Sequence, residues 1–408
     1  MKKIKVAIVS PYPPSMGTLN EYAFHMVKQM KTKSDISEIM LLTDEIDEEY
    51  PAIPHGTDDC KVTIKPCWKF NQFGTTFRLL KALKECQADV VLYNIQFLSF
   101  GDKKLQAALG LMAPLVSRVM GIPSIVLLHN ITEAVDYESA GFTKNPILKA
   151  IYSLSGTILT KIILLANLVC LTIPKYVETI EKKYGAKNIA LVPHGSFELP
   201  PMPDFNKKQD VKTVMTFGKF GTYKKVETMI EAVEKVRQRT GEQIKIVIAG
   251  SDNPNVKGYL NDVRDKYAHV PNIRFTGYVK EEDVPGLFID STLVVFDYTS
   301  TTGSSGVLHQ AGSYGKAVVI PQIGDLKELI EEEGYLGSYY EAGNLDQMTD
   351  AIERLIVDEE FRIEVAKKNY MASASIPMQD IMDWYLIHFY HLLESKSYRK
   401  QSEPVLQF

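Results

Sequence analysis

Residues 216–232 read TFGKFGTYKKVETMIEA. The run Thr213–Phe217 is β-branched and apolar and predicts a strand, Gly218 ends it, and Val226–Arg239 repeats its apolar residues at helical spacing. A strand that feeds through a glycine turn into a helix is the opening unit of a parallel α/β sheet. The same order begins the chain, with a strand at Ile4–Val9, the loop SPYPPSMGT and a helix from about Asn20 to Met30.

Downstream of that unit the alternation continues. Strands are expected at Ile244–Ala249, Ile273–Thr276, Leu293–Asp297 and Ala317–Ile320, with helices at Val256–Tyr267, Val284–Phe288 and Gly306–Tyr314 between them. Helices around Leu326–Glu332, Leu345–Val357 and Glu360–Ala374 follow. Upstream, strands are expected at Ile39–Leu42, Val62–Ile64, Val90–Tyr93, Ser124–Leu128, Leu168–Ile173 and Ile189–Val192. Helices are expected at Thr75–Cys86, Lys104–Met120, Asn145–Ala166 and Tyr176–Tyr184. Between the two series lies ELPPMPDFNKKQD (198–210), proline-rich, charged and without periodicity, which reads as a linker. The expected fold class is therefore α/β, with two Rossmann-like, doubly wound domains facing a cleft. They span 1–198 and 212–377 and are joined by a linker at 199–211. A last helix at 378–395, carrying Trp384, Tyr385, Ile387, Phe389 and Tyr390, is expected to cross back to the first domain, leaving a tail at 396–408.

Composition bounds the function. A chain of 408 residues that is 45% hydrophobic and 24% charged is an ordinary globular protein. Its formal net charge of −4 argues against non-specific nucleic-acid binding, which needs a basic surplus. Cys60, Cys67, Cys86 and Cys170 are too scattered for a zinc knuckle and too few for a disulfide scaffold, so reduced thiols and a cytoplasmic location are expected. MKKIKVAIVS reads as a strand rather than an export signal. The apolar run GTILTKIILLANLVCLTI (156–173) contains Lys161 and Asn167 and falls short of the ~20 residues of a membrane span. It reads as the end of a buried helix followed by a strand. Lys144, Lys149 and Lys161 flank apolar residues, and Lys81, Lys84, Lys103 and Lys104 lie nearby in sequence. Peripheral contact with the inner face of a membrane and an ordinary amphipathic helix surface fit that pattern equally.

In doubly wound sheets ligands bind beyond the carboxyl ends of the strands, so the loops there carry the chemistry. SPYPPSMGT puts Gly17 before a helix N-terminus, suited to close approach of an anion or a sugar. Lys219 and Lys224 bracket the turn of 216–232 beside another helix N-terminus, a setting for a diphosphate. DYTSTTGSSGVLHQAGSYGKAVVI (297–320) passes from a strand through TTGSSG into a helix, where small residues aim backbone amides at a phosphate and Ser304 and Ser305 add hydroxyl donors. Taken singly, each loop also fits a solvated basic turn or a flexible Gly/Ser connection.

Taken in order, these loops resemble those of the retaining GT-B glycosyltransferases of family 4, which use nucleotide-sugar donors. LLHN (127–130) is similar to that family's histidine-bearing strand end, and LVPHGS (191–196) to the stretch before its linker. Lys219 stands at its arginine and Lys224 at its lysine, and IAGS (248–251), FTGYVKEEDVPGLF (275–288) and GKAVVI complete the order. The resemblance covers most of the chain. It implies that Lys219 and Lys224 bind the donor diphosphate and stabilise the leaving nucleotide, with His129 near the donor sugar; these three are the candidate catalytic residues. It implies a donor site of Gly17, Gly218, Tyr278, Val279, Thr302, Gly303, Ser304, Ser305, Gly306, Val307 and Gln310, with Tyr278 and Val279 beside the nucleobase. No metal and no cofactor are implied, the nucleotide-sugar being a co-substrate. Asn20, Glu21, Tyr22 and Asp136 are weak acceptor candidates, as are Glu133 and Glu138; a capped helix start and a solvated acidic loop explain them as well.

The chain departs from that pattern at two places, the first being Gly17, which follows Met16 where the family commonly has paired glycines. Where the family has two glutamates eight residues apart, Thr302 and Gln310 stand here. Gln310 can hydrogen-bond a ribose diol without charge assistance, but Thr302 supplies no carboxylate. Two functions follow: transfer of a hexose to a saccharide or lipid-linked acceptor in polysaccharide or glycolipid synthesis, or a catalytically silent subunit that binds a nucleotide or a partner glycosyltransferase. A nucleotide-sugar epimerase would need a carboxylate pair that does not stand out.

Overall fold

A computed structural model of the chain describes residues 3–56, 60–134, 145–207, 211–253, 256–300 and 303–402, with side chains to 395. The chain divides into two compact units. The first takes the described residues up to His194 and those from Met378 on, and the second takes Gly195–Pro377.

The first unit runs β1 (Ile4–Val9), α1 (Asn20–Met30), β2 (Ile36–Asp44), β3 (Lys61–Trp68), α2 (Thr75–Cys86) and β4 (Val90–Ile95). It continues with α3 (Lys104–Leu111), α4 (Ala113–Val119), β5 (Ser124–Leu128), α5 (Pro146–Ile163), β6 (Leu168–Leu171), α6 (Pro174–Tyr184) and β7 (Ile189–Leu191). Its strands form one parallel seven-stranded sheet in the order β3-β2-β1-β4-β5-β6-β7. Every residue of β4 and β5 is buried. That is why the central strands read as nearly continuous apolar runs, since a parallel sheet is covered by helices on both faces.

The second unit holds β8 (Lys212–Phe220), α7 (Glu227–Thr240), β9 (Ile244–Asp252), α8 (Tyr259–Lys266), β10 (Ile273–Phe275), α9 (Val284–Asp290) and β11 (Leu293–Val295). Then come α10 (Gly306–Ser313), β12 (Ala317–Pro321), α11 (Gly324–Glu333), β13 (Ser338–Tyr340), α12 (Leu345–Val357) and α13 (Glu359–Ala374). Six parallel strands stand in the order β10-β9-β8-β11-β12-β13. One core unites Val214, Ile246, Val295 and Val319 of the sheet with Met229, Val233 and Val236 of α7 and Ile352 and Leu355 of α12. α14 (Met378–Ser402) then rejoins the first unit. There Met382, Tyr385 and Phe389 are buried, Lys33 pairs with Asp383 at 2.5 Å, and the Tyr390 hydroxyl donates to Asp35 at 2.9 Å.

Three expectations are corrected. The single helix expected over Lys104–Met120 is two, α3 and α4. Pro114 has no N–H to donate back to Gly110 and its ring would clash there, so it opens a new helix instead of lying inside one. β13 has no counterpart in the expected elements, because three residues, Ser-Tyr-Tyr, are too short to show a period. The third correction concerns α5, which is not a buried helix: only Gly156, Thr160 and Ile163 are buried along it. The four cysteines are free thiols, three of them buried.

Candidate functional site

In the second sheet the strand order reverses between β8 and β11, the place where such sheets take their ligands. Glycines shape it. Gly250 has φ +134°, and a Cβ there would fall 1.9 Å from the Gly218 carbonyl oxygen, so only glycine lets β9 pass β8 this closely. Gly218 has φ +146°, and a Cβ on it would come within 3.0 Å of the Lys224 ammonium. The bare backbone thus lets Lys224 fold over the end of β8.

Lys224 is held from the neighbouring strand. Its backbone forms an isolated antiparallel bridge with Tyr298, just beyond β11, and its Nζ lies 4.7 Å from the centre of the Tyr298 ring. The Lys225 N–H donates to the Asp297 carbonyl at 2.9 Å, and the Gly221 N–H to the Lys224 carbonyl at 2.9 Å, fastening the lysine loop to β11. The Asp297 carboxylate accepts from the Met229 N–H at 3.2 Å in the first turn of α7, and burial raises its pKa to about 6. Lys219 lies within β8, opposite Ser251 of β9.

The turn before α10 is built the same way. Gly303 has φ +83°, and its N–H donates to the buried Asp325 carboxylate at 2.7 Å. Ser305 is the extended N-cap residue of α10, and its side chain does not cap the helix. The buried Ser304 hydroxyl oxygen has no hydrogen-bond partner among the described residues. His309, one turn into α10, has its ring nitrogens 2.9 Å from the Ser305 carbonyl and 2.8 Å from the Glu333 carboxylate. Burial disfavours the imidazolium, but the adjacent Glu333 carboxylate outweighs it and holds the pKa above the usual value. Gly303, Ser304, Ser305, Gly306 and Val307 therefore form one small-residue turn into α10. Gln310 is buried in α10, while Tyr278, following the Gly277 turn after β10, is exposed and Val279 half-buried. Thr302 lies outside the described residues.

The first unit has its own constellation at the corresponding reversal, between β1 and β4. His129, at the end of β5, sets its Nε2 2.6 Å from Asn94 Oδ1 in β4, and Asn94 Nδ2 donates to Ser10 Oγ after β1 at 2.9 Å. Three strand ends are thereby tied together by side chains. The Tyr22 ring stands edge-on to both His129 and His194, with centroids 4.6 and 4.8 Å apart. Burial lowers the His129 pKa to about 3, so the imidazole is neutral at pH 7. Gly17 donates its N–H to Ser15 Oγ at 3.1 Å, Ser15 donates to Asp44 at 2.6 Å, and Asn20 Nδ2 donates to the Ser15 carbonyl at 2.6 Å.

The structure thus brings Gly218 to Lys224, Tyr22 to His129, and Gly17 to Asn20 through Ser15. Glu21 is half-buried on α1, whereas Tyr22 is almost wholly buried and packs on the two histidines. Glu133 is not an unengaged acid, because it pairs with Lys183 at 3.1 Å and accepts from the Tyr184 hydroxyl. Asp136 and Glu138 lie outside the described residues. Sequence reading does not single out Asn94, His194, Asp297, Tyr298 or Asp325. His194 stands in the quoted LVPHGS stretch, and Asp297 and Tyr298 open the quoted 297–320 stretch, so these three lie in segments already marked.

Residues 211–358 match the family model of the glycosyl transferases group 1. No curated protein sequence matches the chain. Among solved structures, sucrose-phosphate synthase from Thermosynechococcus elongatus is similar at TM-score 0.74 and 15% identity, covering 96% of this chain and 100% of that one. HepE from Anabaena in complex with UDP-glucose is similar at TM-score 0.65 and 15% identity, covering 96% and 100%. WaaG, a glycosyltransferase involved in lipopolysaccharide biosynthesis, is similar at TM-score 0.63 and 13% identity, covering 93% and 98%. The fold is GT-B.

Proposed function

We propose that the protein is a retaining glycosyltransferase that moves a hexose from a nucleoside-diphosphate sugar to a saccharide or lipid-linked acceptor. The observation that carries this reading is the turn Gly303–Val307, which enters a helix that its N-cap side chain leaves uncapped, with a buried Ser304 hydroxyl that has no partner among the described residues. A helix N-terminus of this kind suits a phosphate, and a buried hydroxyl without a partner is a cost that a ligand oxygen would relieve. Lys224, folded over Gly218 at the strand reversal, brings a cation to the same end of the sheet. HepE was solved with UDP-glucose, which supports a diphosphate-linked sugar as the ligand class.

In this reading the bond from the anomeric carbon to the diphosphate oxygen breaks as the acceptor oxygen forms its bond on the same face. The acceptor proton passes to the departing diphosphate. Lys219, Lys224 and the α10 amides stabilise the charge that gathers on the leaving group, the role a metal ion would otherwise take. His129, held neutral, orients a sugar hydroxyl by hydrogen bonding and does not serve as an acid. Gln310 meets the ribose. Polysaccharide or glycolipid synthesis in the cytoplasm is the setting that fits.

Gln310, standing where the family carries a carboxylate, favours a second reading: a subunit that binds the nucleotide without turning it over. Calorimetric binding of nucleotide-sugars with a parallel assay of slow donor hydrolysis separates the two. Binding with turnover supports the transferase, and binding without turnover, with or without acceptors, supports the silent subunit.

A further inference from the structure

The first turn of a helix favours carboxylates, because its free amides present partial positive charge. α10 has none there, and His309, its fourth residue, stands in that turn instead. The residue is 1% exposed, and its two ring nitrogens face two acceptors, the Ser305 carbonyl at 2.9 Å and the Glu333 carboxylate at 2.8 Å. A neutral imidazole has a single N–H. Two acceptors against one N–H call for one proton more, held by the His309–Glu333 pair.

The Ser305 carbonyl belongs to the N-cap residue, and it also accepts the Leu308 N–H at 2.9 Å and the His309 N–H at 3.3 Å. Its orientation therefore bears on where the first amides of α10 point. α11 grips the turn from both ends. Asp325, near its start, accepts the Gly303 N–H at 2.7 Å, and Glu333, its last residue, engages His309. Beyond α11 the Tyr335 ring stands edge-on to His309 at 5.6 Å, its hydroxyl 2.9 Å from Ser373 Oγ of α13, which donates to the His309 carbonyl at 3.0 Å. β12 brings no ionisable side chain. Lys316, just before β12, donates to the Ile289 and Ser291 carbonyls, and Glu331 and Glu332 of α11 are exposed. Glu333 is the charged group hydrogen-bonded to the ring.

We propose that His309 is a positioning residue for the donor turn: as an imidazolium bridging the Ser305 carbonyl and the Glu333 carboxylate, it fixes the N-cap residue of α10 with the following amides open to a diphosphate, and it cancels the carboxylate charge. This role rests on the diphosphate reading of the turn Gly303–Val307. His309 acts through Ser305 and does not touch the ligand. Without the extra proton one of the two acceptors loses its donor. The Glu333 charge, one imidazole ring away from Ser305, then opposes an incoming diphosphate.

Titration calorimetry of the wild type and two variants with UDP, GDP, ADP and dTDP tests it, alongside thermal melting and nitrogen NMR. His309→Leu/Glu333→Leu removes the bridge and leaves no unpaired charge, so the melting temperature should be unchanged or higher. Affinity for the nucleotide that the wild type binds should fall at least about tenfold. In Glu333→Gln a neutral ring still donates to Ser305 and accepts from the amide, so affinity should stay within about threefold of wild type. Nitrogen NMR of the wild type, which needs no variant, should show both ring nitrogens of His309 protonated at about pH 6, with half-titration above the ordinary 6.5. A bare ring nitrogen at that pH overturns the proposal. So does undiminished affinity in the double variant, or a loss of affinity that comes only with a lowered melting temperature, which would assign the pair to stability alone. If the wild type binds none of the four nucleotides, the diphosphate reading falls and this role with it. Binding by the wild type with equal affinity in the double variant overturns this role alone.

Discussion

The Lys224 ammonium lies 4.7 Å from the centre of the Tyr298 ring, and the two residues also pair through their backbones in an isolated bridge. This joins the loop after the first strand of the second sheet to the end of its neighbour across the reversal. The cation faces an electron-rich ring and a bare glycine, Gly218, so it is positioned without a carboxylate competing for it in that contact.

Replacement of either donor lysine is therefore expected to act on the diphosphate. Lys219→Ala and Lys224→Ala should each weaken nucleoside-diphosphate binding by about 1.5–3 kcal/mol, the scale of a charge-assisted hydrogen bond. Tyr298→Leu should cost about 0.5–2 kcal/mol by loosening Lys224. Titration calorimetry measures both, and unchanged affinity in both lysine variants would remove the assignment.

Ser304 offers a separation of stability from binding. Its buried hydroxyl has no partner among the described residues, so Ser304→Ala should leave the melting temperature of the free protein unchanged or higher. Binding of the nucleotide should fall by about 0.5–1.5 kcal/mol. A clear loss of thermal stability without ligand would show that the hydroxyl is already used.

His129 predicts acid sensitivity. Its folded pKa, lowered by burial to about 3, lies below the model-peptide value of 6.5. Between these values the unfolded chain binds a proton that the folded chain refuses. The stabilising contribution is thus present above pH 6.5 and is lost progressively as the pH falls toward 3. His129→Gln should flatten that slope in denaturant titrations across the same window. An unaltered slope would mean that other groups carry the acid response.

Asp297 has the opposite sign. Its folded pKa of about 6 lies above the ordinary 3.8, through burial first and the charge of Glu227 second. The carboxyl contributes favourably while protonated, and that contribution is lost as the pH rises through 6. An amide can still accept the Met229 N–H, so Asp297→Asn should stabilise the protein at pH 8 by about 1–3 kcal/mol and not at pH 4. Equal effects at both pH values would contradict the assignment.

Much of this architecture is legible in the sequence, for a physical reason. Strands covered on both faces, such as Val90–Ile95 and Ser124–Leu128, are apolar apart from Asn94 and Ser124 and so read as nearly continuous runs. The glycine turns also declare themselves, because Gly218, Gly250 and Gly303 adopt positive φ that other residues avoid. Pairings made only by topology are silent: Asn94 and His129 are 35 residues apart, and Lys224 and Tyr298 meet across a strand crossover. α5 misled the sequence reading because an apolar helix has the same composition whether its aliphatic face is buried or, as here, turned outward.

The central claim is that the second unit holds a sugar donor by its diphosphate. The most direct test is calorimetric titration of the purified protein with UDP, GDP, ADP and dTDP and their sugar conjugates, each followed by an assay for release of the nucleotide. The account predicts saturable binding of one nucleotide and its conjugate, with turnover of that conjugate. Absence of binding by every nucleotide would contradict it.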